Sequence, residues 1–220
     1  MKSISIAWSS GVQDEEAVQS LAAVVGLFTA LYHRKWPMGI LEPLVSLRPF
    51  GNWVIPALPE GHPYSSFEWY VESAAQPGQE ALDGERLLDI IEREPWQQQD
   101  HHYDLCLVHL PIWSGAADGE MPFVVRPGVA GVISADWLRA YGEVGQERLA
   151  LRRLCFHAMG LVMGLAPHFD QRSTCAMRPF SGREELLRLA EEEHESKAVF
   201  CDEHYTEMLS LLLNGRGPLN

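Results

Sequence analysis

The chain has no run of about 18 consecutive apolar residues, so no membrane-spanning helix is expected. Its first residues, MKSISIAWSS, lack the roughly 7–15-residue apolar region of a secretory signal. A cytoplasmic location follows as an expectation. Positive charge is scarce: 17 Lys and Arg stand against 30 Asp and Glu, a formal net charge of −13. Nucleic acid and anionic membrane surfaces need a basic face, so neither is expected as the main partner, and the acidity is read as a means to solubility. Only four cysteines occur, Cys106, Cys155, Cys175 and Cys201. In a reducing compartment they are expected as buried thiols or metal ligands rather than disulfides. The chain also lacks a GxSxG elbow, a P-loop, a dinucleotide-binding glycine motif and internal repeats.

What is present suits one domain, or one domain with a small subdomain. The 46% hydrophobic content of 220 residues supplies a sizeable core. Ile4, Ile6 and Trp8 alternate with small residues and read as a first strand. Asp14 then caps a helix to about His33, with Val18, Leu21, Ala22, Val25, Phe28, Leu31 and Tyr32 at helical spacing. Residues 40–47 and 52–55 look like short strands. Residues 56–77, rich in Pro, Gly and Ser, read as loop, with Tyr64, Phe67, Trp69 and Tyr70 as either an aromatic contact surface or local core. A helix is predicted over 83–94. The stretch 103–110, YDLCLVHL, is the best strand, apolar enough to be central and covered on both faces. Residues 110–120 read as loop, 123–125 and 129–134 as strands, and 136–141 as a short helix. A long helix is expected over 147–164, closed by Gly164. Ser181 and Glu184 form a capping box for a helix to about Glu195, and 203–213 is a final helix. The acidic run 191–195 reads as a solvated helix face, and His101 and His102 as exposed loop residues.

The most informative segment is His157 to His168, HAMGLVMGLAPH. Zinc proteases carry HExxHxxGxxH, in which His residues one helical turn apart bind the metal and the intervening Glu is the general base. His157 keeps the first ligand position and Gly164 the glycine position. Ala158 stands where the Glu would be, Leu161 where the second His would be, and Pro167 where the third would be. A catalytic zinc requires three protein ligands and an open water position. Ala158, Leu161 and Pro167 supply neither ligand nor base, so no catalytic residue is expected at these positions.

Several further landmarks follow in order. Gly160 and the Gly164–Leu165 pair, the Cys175–Ala176–Met177 triplet, Phe180–Ser181, Lys197 and Phe200–Cys201 resemble the pattern HExGHxxGLxHC, CxM and FCxxC of the archaemetzincins, a branch of the metzincin zinc peptidases. Upstream, YDLCLVHL and GVAGVIS resemble that family's strand pair ahead of the helix. The resemblance covers roughly half the chain; the first 100 residues fit only in outline. It implies an α/β (α+β) metzincin-like fold, a mixed twisted sheet backed by helices in residues 1–166 and a small, mainly helical, loop-rich subdomain in 167–220.

The resemblance also implies a metal site. The family's cysteines bind a structural zinc, and in register those positions fall on His168, Cys175, Cys201 and His204. The Cys₂His₂ set that results suits tetrahedral zinc. The expected function is therefore that of a pseudopeptidase with one structural zinc and no catalytic one, binding a protein or peptide in the former cleft beside a sheet edge. The alternative is a zinc-dependent metallopeptidase or other hydrolase with a rebuilt site, in which His109 or His168 joins His157. Met177 is expected as core packing.

Overall fold

Ile4 and Ile6 are buried, and so are Ser3 and Ser5 on the opposite side of the same strand. A strand covered on both faces belongs inside a sheet, and β1 (Lys2–Trp8) pairs with strands on either side. The structure is a computed structural model describing residues 2–35, 45–51, 67–75, 81–94, 97–98, 102–114, 119–168 and 174–213. Within it α1 spans Asp14–Lys35, with Asp14, Glu15 and Glu16 in the first turn and His33, Arg34 and Lys35 in the last. Both ends complement the helix dipole. Its buried face is formed by Ala17, Ser20, Ala23, Val24, Leu27, Phe28 and Leu31, whereas Val18 and Val25 are exposed. The period was legible in the sequence; the direction of the face was not, because small residues at 17, 20 and 23 form part of the packed side.

β2 (Val45–Gly51) lies parallel to β1. The expected strand at 52–55 lies outside the described residues, as does the first half of that at 40–47. α2 (Phe67–Ala74) replaces part of the loop expected at 56–77. Phe67, Tyr70, Val71 and Ala74 are buried on it, so its aromatics are local core, and Tyr64 lies outside the described residues. A four-residue apolar face can bury a short helix that composition alone marks as loop. β3 (Leu82–Asp83) leads into α3 (Gly84–Arg93), whose N-cap Asp83 accepts a hydrogen bond from the Arg86 N–H at 3.0 Å.

β4 (Tyr103–Val108) is central, parallel to both β1 and β8. The segment 110–120, expected as loop, contains β5 (Ile112–Trp113) and β6 (Glu120–Met121), which form a small sheet with β3. β7 (Phe123–Arg126) and β8 (Ala130–Ser134) are antiparallel neighbours. The main sheet runs β2-β1-β4-β8-β7, parallel except for β7 at the edge. α4 (Ala135–Arg139), α5 (Val144–Val162), α6 (Arg183–Ser196) and α7 (Asp202–Leu213) complete the chain. One core cluster joins α1, α5 and residues of α6 and α7 on one sheet face; a second joins α2 and α3 on the other. The architecture is a mixed α/β sheet covered by helices on both sides.

Three further expectations are corrected. His102 is buried rather than exposed, its backbone N–H bonded to Gln97 Oε1 at 2.9 Å and its ring 3.4 Å from Asp104; His101 lies outside the described residues. Ser181 is bonded through its N–H and hydroxyl to Glu185, not Glu184. Glu193, within the acidic run read as solvated, is buried.

Candidate metal centre

α5 carries His157 near its end and stops in a Schellman motif. Gly164 takes a positive φ of 93°, Leu165 N–H bonds to Gly160 C=O at 2.9 Å, and Gly164 N–H bonds to Leu161 C=O at 3.0 Å. The chain leaves the helix at a fixed angle and reaches His168, whose N–H bonds to Met177 C=O at 2.9 Å. Met177 is buried against the helix, and a Cβ at Gly160 would meet its sulfur at 2.3 Å. A side chain at 160 would force Met177 to shift from this position.

A turn from Cys175 to Arg178 (Arg178 N–H to Cys175 C=O, 2.9 Å) presents Cys175, and Ala176 N–H bonds to Val199 C=O at 2.7 Å. That contact brings in Cys201, immediately before α7, with His204 in the first turn of that helix. The structure thus brings His168, Cys175, Cys201 and His204 together, all four donor atoms within 4.8 Å of one another. His168 Nε2 is 3.0 Å from Cys201 Sγ, and His204 Nδ1 is 3.2 Å from Cys175 Sγ and 3.6 Å from Cys201 Sγ. A tetrahedron built from the usual Zn–S and Zn–N bonds has S···N edges of about 3.6 Å. The donor set and its size therefore fit one zinc ion.

Without a metal, the surroundings hold Cys175 as the thiol and His204 as the neutral imidazole. Burial pushes the Cys175 thiol up, yet backbone N–H groups of Cys201 and Met177 hydrogen-bond its sulfur and oppose that shift. N–H donors aimed at a sulfur support a thiolate, and a bound dication completes its deprotonation. Burial, with the adjacent His168, holds His204 below the ordinary histidine range, in the neutral form that binds metals, and the Ala166 backbone fixes its ring by a hydrogen bond.

Of the degenerate motif positions, His157, Ala158 and Leu161 lie on α5 and Pro167 lies in the segment after it. His157 is buried, and its Nδ1 meets the Ala176 carbonyl at 2.7 Å. A carbonyl only accepts, so Nδ1 carries the proton. Burial lowers the His157 pKa to about 4. Phe123 and Phe180 flank the ring at 5.4 and 5.8 Å between centroids. Ala158 is fully buried, Leu161 packs on the core and Pro167 is exposed. His109 is engaged instead by Ser9, Nδ1 to Oγ at 2.7 Å. Among the described residues the only grouping of metal-type donors is the one at His168, and His157 is not part of it. Cys106 and Cys155 are buried, and burial raises both thiols, so they are inert.

Sequence reasoning missed Arg153 and Glu193. Arg153 is buried one turn before His157 and donates to Cys175 C=O at 3.1 Å, Arg178 C=O at 3.4 Å and Glu193 at 3.2 Å. It pins the metal-site turn from behind. The signal was available: Arg153 lies four residues before His157 and so shares its buried helix face.

No family model matches the sequence, and no curated protein matches it. Solved structures do. Archaemetzincin from Methanopyrus kandleri has a TM-score of 0.59 at 17% identity, with 97% of this chain and 96% of that chain covered. Archaemetzincin from Archaeoglobus fulgidus, complexed with malonate, has a TM-score of 0.60 at 13% identity, with 93% and 99% covered. A zinc-dependent peptidase from Methanocorpusculum labreanum gives 0.55 at 14% identity, with 93% and 99% covered. The fold is archaemetzincin-like over nearly the whole chain. No helix among the described residues is long and apolar enough to cross a membrane.

Proposed function

We propose that this chain is a pseudopeptidase of the archaemetzincin fold. One structural zinc is held by His168, Cys175, Cys201 and His204, and the former substrate cleft binds a protein or peptide segment without cutting it. The observation that carries the reading is a contrast. Four donors converge at the first site, whereas Ala158, Leu161 and Pro167 leave His157 without a second ligand or a general base. Zinc at the four-donor site would clamp the exit of α5, the Cys175 turn and the start of α7. It would join segments otherwise held by a few backbone bonds.

The binding role is supported by β7. It ends the sheet order, so one side of this strand has no partner among the described strands, and Phe123 at its start also lines the cleft at His157. An extended segment added to such an edge gains main-chain hydrogen bonds, with adjacent pockets selecting side chains. The four free cysteines support placing the chain in the cytoplasm.

One observation favours the alternative of a rebuilt hydrolytic site. The His157 ring is tied through Nδ1 to a backbone carbonyl, the orientation a metal-binding histidine uses. Metal analysis decides. One zinc per chain, lost on Cys175→Ala and kept on His157→Ala, with no chelator-sensitive peptide cleavage, supports the pseudopeptidase. A second zinc that depends on His157 would replace it with the hydrolase.

A further inference from the structure

We infer that the cleft at His157 receives a cationic side chain, the lysine or arginine of an extended peptide, whose donor group bonds to His157 Nε2. This rests on the peptide-binding reading above and names the residue the cleft selects.

The first support is an unused acceptor. His157 is only 5% exposed, and its Nδ1 proton is committed to Ala176 C=O at 2.7 Å. In the neutral imidazole, Nε2 then holds a lone pair. It has no partner among the described residues, and the ring lines a cavity of about 770 Å³. An acceptor that opens into a partly apolar cavity gains a bond when a donor on a ligand reaches it.

The walls and rim select the donor. Phe123, Phe180, Met121 and Pro179 line the cavity and suit the alkyl stem of a long basic side chain. Glu120, Glu184 and Glu185 also line it, against one cation among the described residues, Arg183. Arg183 is drawn aside: its Nε donates to Trp137 C=O at 3.0 Å and its guanidinium lies 4.5 Å over the Trp137 ring. Glu185 is fixed by Ser181 N–H and Oγ at 2.9 and 2.8 Å. Glu184 is exposed, and Glu120 stands 4.0 Å from Arg183. The carboxylate excess, within a chain of net charge −13, draws cations and repels acidic residues. An acidic side chain would also meet an acceptor, not a donor, at Nε2.

The test uses fluorescein-labelled extended peptides, identical except for one residue: lysine, norleucine or glutamate. Norleucine keeps the stem and removes the charge and donors. Binding is read by anisotropy with the zinc-loaded full chain at low and moderate salt. The lysine peptide should bind roughly tenfold more tightly than norleucine, and glutamate least. The Glu120→Gln/Glu184→Gln variant should weaken lysine binding several-fold and leave norleucine unchanged. His157→Phe should also narrow the preference for lysine over norleucine, and if it fails to fold, the peptide comparison on the native chain still decides. Equal or tighter binding of norleucine or glutamate overturns the cationic selection while leaving peptide binding standing. If none of the peptides binds, the peptide-binding reading and this inference fall together.

Discussion

The imidazole of His157 donates through Nδ1 to the carbonyl of Ala176 at 2.7 Å, one residue from the Cys175 thiol. His157 thereby ties α5 to the turn that presents the Cys175 sulfur. Replacing it with alanine removes a buried hydrogen bond and leaves a void between Phe123 and Phe180. His157→Ala should lose about 2–4 kcal/mol of unfolding free energy in a denaturant titration. Zinc content should stay at one per chain.

The four-donor site makes a separate prediction. Substituting any one of His168, Cys175, Cys201 or His204 by alanine should sharply weaken zinc binding, with Cys175→Ala the most damaging. Cys175 is buried, and two backbone N–H groups are directed at its sulfur. Without the thiolate those donors lose their acceptor. Chelation should lower Tm, and limited proteolysis of the stripped protein should cut first between His168 and His204. About 1 kcal/mol corresponds to roughly 2–4 °C for a chain of this size, so a several-kcal/mol clamp is readily seen. An unchanged Tm on chelation would remove the structural-zinc proposal.

The sequence showed those features that rest on local pattern. Strand β4 was recognisable from its unbroken apolar run, α5 from its length and closing glycine, and α3 from the apolar side formed by Leu87, Leu88, Ile90 and Ile91. The four donors were found only through the resemblance, because 33 residues separate His168 from Cys201 in their hydrogen bond and no local period links them. What stayed hidden depends on tertiary partners. The exposure of Val18 and Val25 follows from which helices pack on α1. The burial of Glu193 follows from Arg153, an ion pair between helices distant in sequence. His102 is buried because Gln97 closes over its backbone.

That ion pair carries its own prediction. Arg153 and Glu193 are both buried, and Arg153 Nη1 lies 3.2 Å from Glu193 Oε2. Burial lowers Arg153 and raises Glu193 despite their mutual attraction. Removing one partner strands the other. Glu193→Ala should cost about 3–5 kcal/mol, whereas Arg153→Met with Glu193→Leu should recover much of that loss. Arg153 also donates to Cys175 C=O, so Arg153→Met should weaken zinc binding where Glu193→Leu does not. A double-mutant cycle read by both unfolding and zinc affinity separates the two roles.

The burial of His157 also sets a pH dependence. Its pKa falls from an ordinary 6.5 to about 4 in the folded chain, so between these values the unfolded state binds more protons than the folded one. Stability from this residue is full above pH about 6.5 and is lost as pH falls through about 4, a change of about 3 kcal/mol. Zinc binding needs deprotonated ligands and so carries its own acid dependence, and the wild-type curve alone does not isolate His157. The His157→Gln variant keeps the metal site and lacks the imidazole. The difference in unfolding free energy between wild type and variant, measured from pH 7.5 to about 4, should shrink progressively on acidification as the buried ring becomes the costlier side chain to hold. A constant difference across that range would show that the His157 ring takes up its proton without leaving the fold.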